Sequence, residues 1–370
     1  MIEKRFLCPP GNGVFTVNTA KKRKDHLHQT LYKQAGEGVW PLWEKSLTAL
    51  PSRKGSVLLG ISSDCGGGIL RGANWGPLFM RNELYAMYPP KETKAFFDLG
   101  DIRVIPHLLL DDYLDPETLS KCRKALYGTK EKRLPVSPLS MTMELVEQFY
   151  RDFDDKGLVS LGGDHSVSFP LVRPFLRRRR AQGRQVAVIH FDAHTDLMPS
   201  RLGIDICFGS WAYHILEDLP SPSHLYQLGL RSSNYDGAYW KKELGVEQFW
   251  ADEIKERGAE SIADEITNDL KEKGVDELYV SFDIDFIDPI YAGATGTPEP
   301  NGPTPEDGMV ILEKLEKQFP IGGADMVEVA PFVRHDGNNQ TTEPNSTLNV
   351  ATRFVGFFIE ALNRFYGVTT

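Results

Sequence analysis

Apolar positions in this chain gather into short runs separated by longer amphipathic stretches. Ser56–Leu59, Leu158–Leu161, Val186–Phe191, His224–Leu228, Glu277–Phe282 and Asp325–Val329 read as strands. Several are near-continuous apolar runs, the pattern of strands covered on both faces. Helical periods lie between them, over Ser140–Phe153, Ser166–Arg180 and Ala259–Lys273. Gly274 follows the third of these, where a helix C-terminal cap belongs. Pro305–Phe319 opens with Thr304-Pro305-Glu306, which suits a helix start. A last helix is predicted from about Ser346 to Phe365. Strands alternating with helices predict a mostly parallel central sheet between two helical layers, a three-layer α/β/α sandwich.

The first fifty-odd residues show no clear period. They contain Pro9-Pro10-Gly11 and a basic stretch, Lys21 to Lys24. They read as an N-terminal extension or arm over residues 1–55, packed on the domain or on a neighbouring subunit. Residues 56–370 read as one domain, without an internal repeat or a shift in composition.

Composition narrows the partners. The chain has 370 residues, 41% hydrophobic and 25% charged, an ordinary globular balance. No stretch approaches the run of about 20 apolar residues that a membrane helix needs. No signal-peptide pattern lies near the N-terminus, so a cytoplasmic protein is expected. Cys8, Cys65, Cys122 and Cys207 are scattered, forming neither a disulfide framework nor a thiolate metal site. The net charge of −9 argues against nucleic acid. The one basic run, Arg177 to Arg180, reads as a solvated helix end, where cations suit the helix dipole.

The chemistry sits just past the strands. Residues 190–196 read His-Phe-Asp-Ala-His-Thr-Asp, and four of these seven side chains can bind a metal or move a proton. Side chains two apart share a face of extended chain, so Asp192, His194 and Asp196 point one way if the strand continues. In open parallel sheets, ligands bind beyond the carboxyl ends of the strands. Other strand ends match: Gly162-Gly163-Asp164-His165, then Asp283-Ile284-Asp285 with Asp288-Pro289 after it, then Glu328 between Val327 and Val329. Asp164 and Asp288 read equally well as cap or turn residues. Converging carboxylates repel one another and resist ionisation. Two divalent cations remove that cost. An oxygen-rich set with two imidazoles and no thiolate suits Mn²⁺, with Ni²⁺, Co²⁺ or Fe²⁺ as alternatives. Two metals sharing one activated water make a hydrolase.

Three motifs carry a resemblance. Gly162-Gly163-Asp164-His165-Ser166, Phe191-Asp192-Ala193-His194-Thr195-Asp196 and Ser281-Phe282-Asp283-Ile284-Asp285-Phe286-Ile287-Asp288-Pro289 resemble, in order, the signatures of the arginase, agmatinase and formiminoglutamase (ureohydrolase) family. Arg71 to Pro77, Gly293 to Pro298 and Gly323 to Pro331 resemble further stretches of it. The likeness runs from about residue 56 to the C-terminus. It implies an arginase-like sandwich and a metal pair held by His165, Asp192, His194, Asp196, Asp283 and Asp285. It implies two Mn²⁺, or Ni²⁺ in some members, and a bridging hydroxide that attacks an amidine or guanidinium carbon. It implies Asp196 bonding that hydroxide and Glu328 holding the substrate nitrogens. It also implies a homo-trimer or hexamer.

Two departures bear on substrate. Many members carry a proton-shuttling His before the Gly that matches Gly209, where this chain has Phe208; formiminoglutamase-type members lack it too. Asp196 and, as a second candidate, His214 are left to move the proton. Arginases place an Asn two residues after the Asp196 position, and here it is Met198, which argues against L-arginine. Arg201 is a candidate for a substrate carboxylate, and Phe208 and Trp211 are candidate pocket walls. The expected function is hydrolysis of a C–N bond in a linear amidine or guanidine, of formiminoglutamase, agmatinase, guanidinobutyrase or guanidinase type. The alternative is an inactive metal-binding relative serving as an assembly or regulatory subunit. A binuclear phosphoesterase needs further late His ligands, and only His335 follows the last motif.

Overall fold

The computed structural model describes residues 2–13, 20–67, 70–90, 95–129, 133–333 and 345–368. Among them, nine strands form one sheet: β1 (Leu7–Cys8), β2 (Gly55–Gly60), β3 (Phe97–Ile102), β4 (Lys156–Leu161), β5 (Val186–Phe191), β6 (Leu225–Leu230), β7 (Glu247–Trp250), β8 (Glu277–Asp283) and β9 (Ile321–Val327). Their order in space is β1-β3-β2-β4-β9-β8-β5-β6-β7. Only β1 against β3 is antiparallel; the other pairings are parallel.

Alternation along the strands builds two cores. Leu58, Ala187, Ile189 and Phe191 face one side, with helices Gly76–Met87, Ala259–Glu272, Pro305–Glu316 and Asn345–Phe365. Val57, Leu59, Val186 and Val188 face the other, with helices Pro138–Asp152 and Ser168–Ala181. This is the expected three-layer sandwich, and its strands are buried on both faces because helices cover both. Phe282 ties sheet to helix: its ring lies 4.9 Å from Phe191 and 4.4 Å from Phe354. Burying such a ring fully is worth about 1.5–3 kcal/mol.

The caps follow the sequence. Thr304 and Asp307 form a capping box at the start of Pro305–Glu316. Gly274, at φ 66°, takes the left-handed conformation just past Ala259–Glu272.

Three features depart from expectation. The first fifty residues hold an edge strand and helices Lys21–Tyr32 and Val39–Leu47, and buried Trp43 donates to the Leu99 carbonyl at 3.2 Å. Lys21–Tyr32 is too polar to show a period, and a two-residue strand has none to show. Strands β3 and β7 are also additional. β3 carries Asp98 and Asp101 inside a strand, against its apolar pattern, and β7 is short and at the edge. Third, Arg177–Arg180 is not simply a solvated helix end. Arg177 pairs with Asp218 at 2.8 Å, Arg178 with Asp154 at 3.0 Å, and buried Arg179 with Glu277 at 3.0 Å. Arg180 donates to the carbonyls of Glu217 and Leu219.

β4, β9, β8 and β5 are consecutive in the sheet, although the chain visits them far apart. β2 and β3 lie outward of β4, while β6 and β7 lie outward of β5. The strand order therefore reverses across the centre, where a crevice opens beyond the carboxyl ends.

Candidate metal centre

Each of the four central strands ends in a different device. After β4 the chain passes so close to Ser63 that a Cβ on Gly163 would lie 1.6 Å from the Ser63 carbonyl oxygen. Gly163 is thus required by backbone approaching backbone. Asp164 then caps the turn His165–Val167, accepting from the Ser166 N–H at 2.9 Å. After β5, Asp192 donates its N–H to Leu228 at 3.0 Å, but the strand does not run on. Asp196 sits at φ 50°, a conformation that an ordinary residue adopts only under constraint. Asp192, His194 and Asp196 converge through this loop rather than through continued extended chain. β8 ends at Asp283, whose carboxylate accepts the Asp285 N–H at 2.9 Å. After β9, Glu328 at φ 59° donates its N–H to Gly163 at 2.8 Å.

These ends bring the six predicted ligands together. His165 Nδ1 lies 3.0 Å from Asp192, 3.2 Å from Asp196 and 3.1 Å from Asp283. It is buried and makes a hydrogen bond with none of them. Its other nitrogen, Nε2, is 3.1 Å from the Ser281 hydroxyl. His194 Nδ1 lies 3.3 Å from Asp192 and 3.1 Å from Asp285. Two groups therefore share Asp192, one around His165 and one around His194. Burial opposes charge on His165, but three carboxylates crowding this one nitrogen raise its pKa well above the usual value, so the metal-free chain keeps a proton there; a cation in its place would make each of these groups a ligand. The donor set of nitrogen and carboxylate oxygen fits a pair of divalent ions.

Electrostatics agree. Burial and the charge of Asp192 push the Asp196 carboxyl up to about 8. Burial and the charge of Asp285 raise Asp283 well above the carboxylate range. Burial also opposes ionisation of Asp192, but the imidazoles of His165, His190 and His194 outweigh it and hold Asp192 well below. Burial opposes charge on His194 too, and the carboxylates of Asp285 and Asp192 overcome it and raise its pKa. Without metal, then, the centre holds protons where cations belong.

The remaining candidates fall into different places. Glu328 is buried, and its Oε1 accepts from the His165 N–H at 2.8 Å. Burial and the charge of Asp283 raise its pKa well above the usual value. Trp211 is fully buried and lies behind the centre: its indole donates to Asp196 Oδ2 at 2.9 Å, and its ring packs 4.9 Å from His165. Arg201 lies over the Phe208 ring at 5.1 Å. Both line a cavity of about 720 Å³ with Leu109, Leu110, Tyr113 and Thr297, and this cavity reaches the centre at His194. His214 is placed elsewhere. Its Nε2 is 2.9 Å from the Pro199 carbonyl, and it lines a second cavity, of about 960 Å³, that holds none of the six ligands. Asp288 caps a short helix, accepting from Ile290 and Gly302. His335 lies outside the described residues.

Other residues belong to the site as well. His190 Nε2 is 2.8 Å from Asp192 Oδ2, and Thr297 donates to Asp285 at 3.3 Å. The period-two argument reaches back from Asp192 to His190, so that signal was present in the sequence. Thr297 carried none beyond its threonine-glycine loop. Arg231, with no motif around it, donates to the carbonyls of Gly229, Asp285 and Glu299, clamping the loop that holds Asp285.

Known proteins resemble this chain in sequence and in overall fold. A profile described as the arginase family matches residues 54–356. A guanidinobutyrase from Pseudomonas aeruginosa is 26% identical over 303 residues, covering 78% of this chain and 83% of its own. Proclavaminate amidino hydrolase from Streptomyces clavuligerus shares the fold, with a TM-score of 0.62 at 24% identity over 85% of this chain and 94% of that one. Formimidoylglutamase from Bacillus subtilis does so with a TM-score of 0.63 at 21% identity, over 84% and 88%. With its profile spanning most of the sequence and its predicted ligand residues gathered at the carboxyl ends of the central strands, the chain belongs to the arginase family and is a hydrolase of carbon–nitrogen bonds.

Proposed function

We propose that the chain hydrolyses a linear guanidino or formimino compound, with two divalent cations, Mn²⁺ or else Ni²⁺, held by His165, Asp192, His194, Asp196, Asp283 and Asp285. The observation that carries this is the buried His165 Nδ1, unbonded and within 3.2 Å of three carboxylates. Bound there, the cations supply positive charge and activate water for attack on a planar carbon.

The chain's own residues do the rest. Glu328 holds the substrate's nitrogens: the His165 N–H fixes Oε1, which leaves Oε2 for a planar cation. Gly296 passes beside this oxygen because a Cβ there would stand 2.9 Å from the Leu70 carbonyl oxygen; to Oε2 it would be in ordinary contact at 3.4 Å. Asp196, fixed by the Trp211 indole, carries a proton to the leaving amine, which departs poorly as an anion. His214, bonded to Pro199, is the weaker candidate for that transfer.

The cavity at His194 takes the substrate's tail. Its walls of Leu109, Leu110, Tyr113 and Phe208 suit a hydrocarbon spacer, and Arg201 suits a terminal carboxylate. A guanidinobutyrase among the relatives supports that class, and Met198 in place of an Asn speaks against L-arginine. The same reading takes the enzyme as a cytoplasmic homo-trimer or hexamer; a monomer by light scattering at micromolar concentration contradicts the assembly.

The test is turnover by metal-loaded protein of arginine, agmatine, guanidinobutyrate, formiminoglutamate and guanidine, scored for urea and ammonia. The expected result is preference for a carboxylate-bearing substrate. No turnover of any of them would favour the inactive relative.

A further inference from the structure

Both ligand groups share Asp192, so whatever orients that carboxylate acts on both. His190 Nε2 stands 2.8 Å from Asp192 Oδ2. On the far side of the ring, His190 Nδ1 is 2.9 Å from Gln227 Nε2. Gln227 Nε2 is also 2.5 Å from the Thr195 carbonyl, and Gln227 Oε1 accepts from Gln248 at 2.8 Å.

Hydrogen-bond polarity settles the ring's tautomer. A carbonyl accepts and never donates, so the Gln227 group facing Thr195 is its NH₂. The second hydrogen of that NH₂ points to His190 Nδ1, which must accept. The ring hydrogen is therefore on Nε2 and donates to Asp192 Oδ2. A nitrogen committed in this way has no lone pair for a metal. The ring is fully buried and edge-on to His165 and Trp211, each 5.0 Å away, so it cannot swing aside.

We propose that His190 is a positioning residue and not a ligand: Gln227 sets its tautomer, and its Nε2–H aims Asp192 at both cations. The proposal rests on the metal-centre reading, and its test reads metal affinity in place of turnover. Partners that orient a ligand commonly change metal affinity by about 10- to 100-fold when removed.

The experiment strips the full-length protein of metal and titrates it with Mn²⁺ by calorimetry. His190→Leu should bind about 10- to 100-fold more weakly, while the metal-free protein melts close to the native one. His190→Gln, whose amide N–H can reach the same oxygen, should recover most of the affinity. Pulsed EPR of the manganese form should show the same ligating imidazoles in native and His190→Gln protein. Gln227→Met, which removes the donor to Nδ1, should weaken binding by a smaller factor, and it carries the test alone if His190→Leu fails to fold. Native affinity in His190→Leu or Gln227→Met overturns the proposal. So does a His190→Gln protein as weak as His190→Leu, or one that loses an imidazole coupling. A native chain that takes up no Mn²⁺ overturns the metal centre and this proposal together.

Discussion

Two buried acidic clusters lie in one sheet, and their charge is balanced in opposite ways. Between β2 and β3, Arg81 is fully buried and pairs with Asp101 and, at 3.0 Å, with Asp98. Asp101 also accepts the N–H groups of Gly11 and Gly13, and Asp98 accepts the Tyr85 hydroxyl. That cluster brings its own cation, and its oxygens are occupied. Beyond β4, β9, β8 and β5, four carboxylates crowd the imidazoles of His165, His190 and His194, and among the described residues no Lys or Arg pairs with them. A buried charge persists only with a partner. The first cluster is closed and structural; the second is open, balanced only by protons on its own carboxyls and imidazoles, which a pair of divalent cations would displace.

Breaking each cluster should therefore have different consequences. The largest effect belongs to Asp283→Ala. It should cost at least one metal and more than about 100-fold in turnover, beyond what orienting residues contribute. Stability of the metal-free protein should hold or rise, since a repelling carboxylate is gone; metal analysis and thermal melts check both. Arg81→Met should do the reverse. It strands two buried carboxylates and should cost about 3–5 kcal/mol in denaturant unfolding, with metal content per folded chain unchanged. Glu328→Gln sharpens the contrast inside the open cluster. Both metals should remain, while turnover falls about 10- to 100-fold, the worth of about 1.5–3 kcal/mol for a bond to a charged group. The smallest effect is expected for His214→Ala, under about threefold against the 10²- to 10⁴-fold of a positioned acid–base residue. A loss above about 100-fold there, with metals intact, would return the proton transfer to His214.

How much of this was legible follows from what each pattern encodes. Central strands such as β5 and β8 showed as apolar runs because both faces are buried. The predicted ligands showed because several aspartates and two histidines recur at three strand ends, where a single Asp would have read as a cap, as Asp164 and Asp288 are. β3 stayed hidden because Asp98 and Asp101 break its pattern, and their partner Arg81 lies in a different element. Convergence of the predicted ligands was foreseen, but not its means: the chain turns at Asp196, at φ 50°, a conformation that Asp tolerates better than most residues but that its presence alone does not require. Trp211 read as a pocket wall because sequence gives no depth; it lies behind Asp196 and touches it through the indole. His190 shared the parity of Asp192 yet lay within an apolar run, and its role depends on Gln227, 37 residues away.

The most direct test of an open, cation-binding cluster is stability against pH, with and without Mn²⁺. Asp196, unfolded near 3.8, is pushed to about 8 in the folded, metal-free chain, and Asp164 to about 7, in each case by burial first. Groups raised in this way keep extra protons when folded, so their stabilisation is complete below about pH 4 and is lost as pH climbs toward 8. The metal-free protein should accordingly lose stability across that window. Saturating Mn²⁺, two ions per chain by titration, should restore stability most at the alkaline end and flatten the curve. Superimposable curves with and without Mn²⁺, or fewer than two ions bound at saturation, would contradict the account.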